Sequence, residues 1–183
     1  MGPQWTVTVG RPGLAWGIGI HGAVRGDSPI KREGDGKAPA GVFPLVEAFG
    51  FEPAELAGVT RFPYRQITNA LEGVDDPASR YYNRIVDPAS LPTRDWKSSE
   101  RMRIPPYRWG AVVGHNWKQE PGAGSCIFLH VWEGAGVATS GCTAMPEAEM
   151  LRLLRWLDDS KNPVLVQLPI DEYRRVRAKW KLP

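Results

Sequence analysis

At 183 residues, 42% hydrophobic and 23% charged, the chain is long enough to bury a real core and has the make-up of one ordinary soluble domain. Its 2 cysteines make no disulfide framework and, with 3 histidines, fall into no zinc-type spacing, so neither a metal nor another cofactor is expected. A net charge of +3 permits attraction to an anionic polymer without demanding it, and no nucleic-acid partner is expected. No apolar run approaches the roughly 20 residues of a membrane span. The opening Met1-Gly2-Pro3-Gln4-Trp5 shows neither the basic nor the apolar stretch of a signal peptide.

The 8 tryptophans, 17 prolines and 20 glycines favour short strands and loops over a helix bundle. Residues 5–9 alternate with period two and predict a strand ending at Gly10. Residues 14–20 predict its hairpin partner across the Gly10-Arg11-Pro12-Gly13 turn, and His21 follows in a turn of its own. Residues 31–40 form a charged, Gly-rich loop that either lies in solvent or gates a cleft. It has no G-x-x-x-x-G-K-[ST] pattern, which excludes a phosphate cradle. Residues 42–49 predict a strand with Pro44 at an edge or bulge.

From 51 to 106 the chain reads as an insertion in the single domain, sparsely structured because Pro53, Pro63, Pro77, Pro88, Pro92, Pro105 and Pro106 interrupt it. One helical turn is expected at 52–56. Inside it, Arg80-Tyr81-Tyr82-Asn83-Arg84 invites two readings. Tyr82 and Arg84 could recognise a sugar or carboxylate by stacking and bidentate contacts, or the cluster could pack the insertion onto the domain. Arg94, Asp95, Trp96 and Lys97 divide the same way.

Residues 111–114 predict a buried strand that delivers His115 and Asn116 to a loop, where they either line a cleft or cap a turn. Trp117 and Trp132 either wall that cleft or pack. Residues 127–131 predict a strand with Phe128 and His130 on one face and Ile127, Leu129 and Val131 on the other. A loop of small residues then closes with Thr139-Ser140-Gly141-Cys142. Pro146 is expected at the first position of a helix, with Glu147 and Glu149 complementing its dipole and Met150, Leu153, Leu154 and Leu157 forming its apolar stripe. Residues 164–166 predict a closing strand. A basic helix over 171–181, with Tyr173, Val176 and Trp180 on one stripe, either docks or lies on an anionic surface.

His130 and Cys142 carry the chemistry. Few free thiols are ionised at neutral pH, and a nearby imidazole can accept the proton. Gly141 lets the backbone turn, so that N–H groups around it converge on a developing oxyanion. A buried structural cysteine and a histidine bonded to a loop carbonyl is the competing reading. Cys126 and Cys142 are both expected as free thiols.

These residues resemble the L,D-transpeptidase catalytic domain, the YkuD-type family, whose motif is a strand histidine followed by [ST]-x-G-C; here His130 and Thr139-Ser140-Gly141-Cys142. Lys31-Arg32-Glu33-Gly34-Asp35-Gly36-Lys37-Ala38-Pro39-Ala40-Gly41-Val42-Phe43 resembles its TPxGxF segment, and Val113-Gly114-His115-Asn116 followed by Gly124-Ser125-Cys126-Ile127-Phe128-Leu129-His130 resembles a branch with a GSxIFLH strand. The resemblance implies a mainly β (α+β) sandwich of mixed sheets with one main helix after the cysteine. It implies a cysteine acyl-enzyme on peptidoglycan stem peptides, with Cys142 as nucleophile, His130 as base and the Thr139, Ser140 and Gly141 turn as the oxyanion site. His130 would be oriented by the Val131 carbonyl. His115, Asn116, Trp132, Tyr82 and Arg84 are further candidates for substrate contact. A monomer in the periplasm or cell wall is implied. Where the family usually has Arg or Asn two positions after the cysteine, this chain has Ala144, and Ser140 replaces a frequent His. Transfer, hydrolysis (carboxypeptidase or amidase) and a non-catalytic cell-wall-binding module therefore all stay open.

Overall fold

In the computed structural model, which describes residues 2–22 and 29–182, one long strand gathers most of the sheet. Its sequence, APAGVFPLVEAFG, is nearly free of charge and mostly buried, as suits a strand covered on both faces. This strand, β2 (Ala38–Gly50), pairs in parallel with β1 (Leu14–Trp16) at its start and with β3 (Tyr64–Gln66) at its end. Strand β7 (Trp109–Val113) runs antiparallel along its second half. Strand β10 (Val164–Gln167) runs antiparallel along residues 41–44. The register slips between Leu45 and Glu47, a bulge that lets β2 exchange one set of neighbours for another, with Pro44 beside it. The sheet continues through β8 (Phe128–Val131), antiparallel to β7, to β9 (Thr143–Met145), parallel to β8.

Strand β8 separates two cores. Ile127, Leu129 and Val131 join Phe43, Leu45, Trp109, Ala111, Val113 and Met145 on one face. Helix α2 (Glu147–Trp156) seals that face with Met150 and Leu154, and Leu157 follows just beyond its end. The opposite face carries Phe128 against Phe49, Ile67, Leu71, Met102, Tyr107, Cys126 and Cys142. The result is a mainly β, sandwich-like fold with three α-helices among the described residues, α1 (Ala54–Ala57), α2 and α3 (Ile170–Trp180). In α3 Val176 is buried and Trp180 packs edge-on against Trp16, so this helix is docked on the sheet.

Three expectations change. Residues 5–9 and 14–20 do not form a hairpin: β1 pairs with β2, and residues 8–10 reach instead the outer edge of the sheet at Ala144 and Thr139. A solvated hairpin would have left that edge open. Trp5, Val7 and Val9 also face an apolar groove with Leu129, Met145 and Leu153, which the alternating pattern suits equally well. The insertion is more ordered than its prolines suggest: β4 (Glu72–Val74) sits between β5 (Arg84–Val86) and β6 (Ser99–Arg101) in a small antiparallel sheet. Lastly, Pro146 caps α2 from outside and Glu147 is its first residue. A proline fits either place because no helical N–H is needed there.

Candidate active site

The register of β8 against β9 brings the histidine and cysteine together. His130 lies opposite Ala144, and alternate residues of a strand share a face, so Cys142 shares the face of Ala144 and His130. The loop before β9 is tied by its own side chain. Thr139 Oγ1 donates to the Cys142 carbonyl at 2.6 Å and accepts the Gly141 N–H at 3.2 Å. Gly141 has a φ of 141°, and a Cβ there would crowd the Lys37 carbonyl at 3.2 Å, so this position requires glycine. The chain before β1 holds the loop from outside. The Thr8 and Ala144 N–H groups donate to each other's carbonyls, both at 2.8 Å, while Thr139 N–H donates to Val9 and Arg11 N–H to Thr139.

Cys142 and His130 line one cleft of about 420 Å³. Cys142 Sγ accepts the Phe128 N–H at 3.3 Å and lies 3.6 Å from the Cys126 carbonyl, toward which the thiol donates. Burial, with the Glu100 charge added, pushes its pKa up to about 12, against the Phe128 N–H and the Tyr107 hydroxyl, which lower it. The resting thiol is therefore protonated. His130 Nδ1 lies 2.8 Å from the Val131 carbonyl. A carbonyl only accepts, so Nδ1 carries the proton and Nε2 keeps its lone pair. Burial lowers the His130 pKa despite the Val131 bond, which keeps the imidazole neutral. A neutral thiol and a neutral imidazole of fixed tautomer on one cleft suit general-base activation better than a standing ion pair.

The remaining walls come from distant segments. Residues 137–141 form one side. The charged loop supplies Lys31, Glu33 and Gly34, and it is built rather than solvated: Lys31 is 4% exposed, with Nζ 2.5 Å from Asp35 and 2.7 Å from the Arg32 carbonyl. The insertion supplies Asp75, Glu100, Ile104, Pro106 and Tyr107. Tyr107 is turned inward by the 3-10 turn Pro105–Arg108, and its ring packs edge-on against His130 with centroids 5.2 Å apart. Its hydroxyl donates to Glu100 Oε2 at 2.9 Å. Glu100 and Tyr107 escaped the sequence reading; the only local signal was an aromatic after Pro105-Pro106.

The weaker candidates lie outside the cleft lining. His115 is buried, with Nδ1 accepting the Ile18 N–H at 3.2 Å and Nε2 donating to the Ala123 carbonyl at 3.0 Å; burial lowers its pKa to about 4. Asn116 closes the loop before β8 through the Glu120 and Gly124 carbonyls and the Glu120 N–H. Trp132 continues the β8–β9 pairing through its N–H to the Met145 carbonyl. Tyr82 is buried and donates to Glu33, which also accepts from Ser125. Arg84 lies over the Trp117 ring at 4.2 Å and donates to its carbonyl. Asn83 between them ties His115, Asn116 and Cys126 together. The Arg80–Arg84 segment thus fastens the insertion to the domain. His21 sits apart, among Trp16, Phe43 and Trp180.

The family model described as the L,D-transpeptidase catalytic domain (YkuD) matches residues 3–166, most of the chain. The chain belongs to this family. No curated protein and no solved structure gives a match. The YkuD family is catalytic and acts on peptidoglycan through a cysteine. Among the described residues of this YkuD domain, no cluster of His, Cys, Asp or Glu could hold a metal ion, and no helix is long and apolar enough to cross a membrane.

Proposed function

We propose that the chain is a peptidoglycan L,D-transpeptidase whose nucleophile is Cys142 and whose base is His130. The observation that carries this reading is the shared cleft, in which His130 presents an unprotonated Nε2 because Nδ1–H is committed to Val131. The thiol leaves the Cys126 carbonyl, passes its proton to Nε2, and Sγ attacks the carbonyl of an L-to-D peptide bond in a stem peptide. Because Gly141 N–H is already bonded to Thr139, the Ser140 and Cys142 N–H groups are the donors for the oxyanion. The departing amine takes the proton from His130, and the acyl-enzyme remains. An amine acceptor from a second stem gives up a proton to the same imidazole as it displaces sulfur, forming the cross-link.

Hydrolysis is the second reading, and Ala144 favours it. This residue faces His130 across the strand pair and lines the cleft with a methyl group, giving an acceptor no polar anchor there. Against it, the cleft is lined by Glu33, Asp75 and Glu100, a wall that attracts a substrate bearing an amine.

Intact mass after incubation with a carbapenem tests the acylating thiol. The expected result is a single adduct, retained in Cys126→Ala and lost in Cys142→Ala. No adduct on folded wild-type protein would place hydrolysis or a binding module ahead of transfer. A stem tetrapeptide with and without an amine acceptor then separates transfer, which joins the two masses, from hydrolysis, which adds water.

A further inference from the structure

We propose that Glu100 is a positioning residue for Cys142, acting through the hydroxyl of Tyr107. The inference rests on Cys142 being the nucleophile. Three observations carry it. The Tyr107 hydroxyl donates to Glu100 Oε2 at 2.9 Å. The Tyr107 ring lies against His130 and Phe128 and in one apolar cluster with Cys142. Glu100, Tyr107, His130 and Cys142 all open onto the same cleft.

A tyrosine hydroxyl has one proton to donate, and here two acceptors draw on it, the Glu100 carboxylate and the Cys142 sulfur. With Glu100 ionised, the Tyr107 O–H points at the carboxylate. The sulfur then loses that donor and faces a second negative charge. With Glu100 protonated, the carboxyl O–H donates to Tyr107 Oη, the Tyr107 O–H turns to Sγ, and the thiolate gains a hydrogen bond. One proton on Glu100 thus decides whether the nucleophile is stabilised or opposed.

The surroundings make that proton available near neutrality. Asp75, which follows β4, and Glu33, from the charged loop, face Glu100 with like charge, and Tyr107, Cys126 and Cys142 complete its neighbours. Lys31, the cation lining the cleft, is paired with Asp35, and Glu133 lines the cleft where its charge bears on His130. Burial first, then the charges of Asp75 and Glu33, raise the Glu100 pKa to about 7.

The test is the rate of alkylation of Cys142 by iodoacetamide against pH, read from the mass of the Cys142-bearing peptide. This readout needs no peptidoglycan turnover, so it stands apart from the carbapenem result. Far below its pKa a thiol reacts about tenfold faster per pH unit. In wild type that rise is expected to flatten near pH 7, where Glu100 ionises, and to resume at higher pH. Glu100→Gln, which cannot ionise, should rise without the break and react about tenfold faster than wild type near pH 8, the effect of a one-unit change in thiol pKa. Tyr107→Phe should shorten the flat region by removing the relay while leaving the charge. A wild-type profile with no break, or a break retained in Glu100→Gln, overturns the proposal. An unchanged break in Tyr107→Phe overturns the relay.

Discussion

The two faces of β8 are made from adjacent residues of one strand and behave as different materials. Ile127, Leu129 and Val131 lie in an apolar core closed by α2. Phe128, His130 and the neighbouring Cys142 lie a strand's thickness away, beside carboxylates and an open cleft. The first face stabilises by excluding water everywhere. The second excludes just enough water to keep a thiol and an imidazole both neutral. Burial is thus a source of stability on one side and of chemical tuning on the other, and substitutions should separate the two.

The largest separation is expected on the cleft face. Cys142→Ala should abolish acylation, and His130→Ala should slow it by about 10²–10⁴-fold. Both variants should melt close to wild type by circular dichroism. Because the His130 pKa is lowered, the acid limb of acylation should fall below the ordinary histidine range; a limb above pH 6.5 would mean that another group is the base.

Leu154→Ala, on the helix-covered face, should do the reverse. Leu154 is fully buried, and its truncation should cost about 2–5 kcal/mol in denaturant unfolding. Carbapenem acylation of the folded fraction should stay at the wild-type rate. If acylation fell with stability, the two faces would not be independent.

Glu100→Gln probes the boundary between them. A carboxyl at about 7 in the fold, against 4.5 ordinarily, binds more protons folded than unfolded over that interval. Raising the pH through the interval therefore costs stability, by about 2 kcal/mol once screening in an open cleft is allowed for. Glu100→Gln should thus unfold at higher denaturant than wild type at pH 8 and show a smaller advantage at pH 4. Equal pH dependence of the two proteins would remove the charge penalty from the account. The smallest effect is expected from Thr139→Val, which loses the bonds to Cys142 and Gly141 at about 1 kcal/mol of stability. It should slow acylation more than its stability loss implies, as the loop that carries Cys142 loosens.

What the sequence discloses about this molecule follows how local each feature is. The alternation at 127–131 is a property of one strand, and the two faces it indicated are the two faces observed. The Gly141-Cys142 turn and the α2 stripe are local in the same sense. The Glu100–Tyr107 pair is not: it depends on a sheet of three-residue strands folding back from the insertion, and strands so short leave no periodicity between prolines. Lys31 misleads for another reason. A lysine in a charged loop ordinarily faces water, but Asp35 four residues on and the Arg32 carbonyl satisfy it inside the protein. The hairpin expected over 5–20 fails because turn chemistry at Gly10-Arg11-Pro12-Gly13 says nothing about which distant edge needs a partner. A Cβ at Gly10 would lie 2.2 Å from the Gly36 carbonyl, so that glycine serves a close crossing of two segments.

The pairing of residues 8–11 with Thr139 and Ala144 makes the N-terminal segment a brace for the cleft. A chain shortened to begin at Pro12 would keep the helix-covered core while losing the backbone partners that clasp the loop before Cys142. Such a shortened molecule should still melt cooperatively, yet Cys142 should acylate slowly, so that truncation silences the cleft well before it unfolds the core.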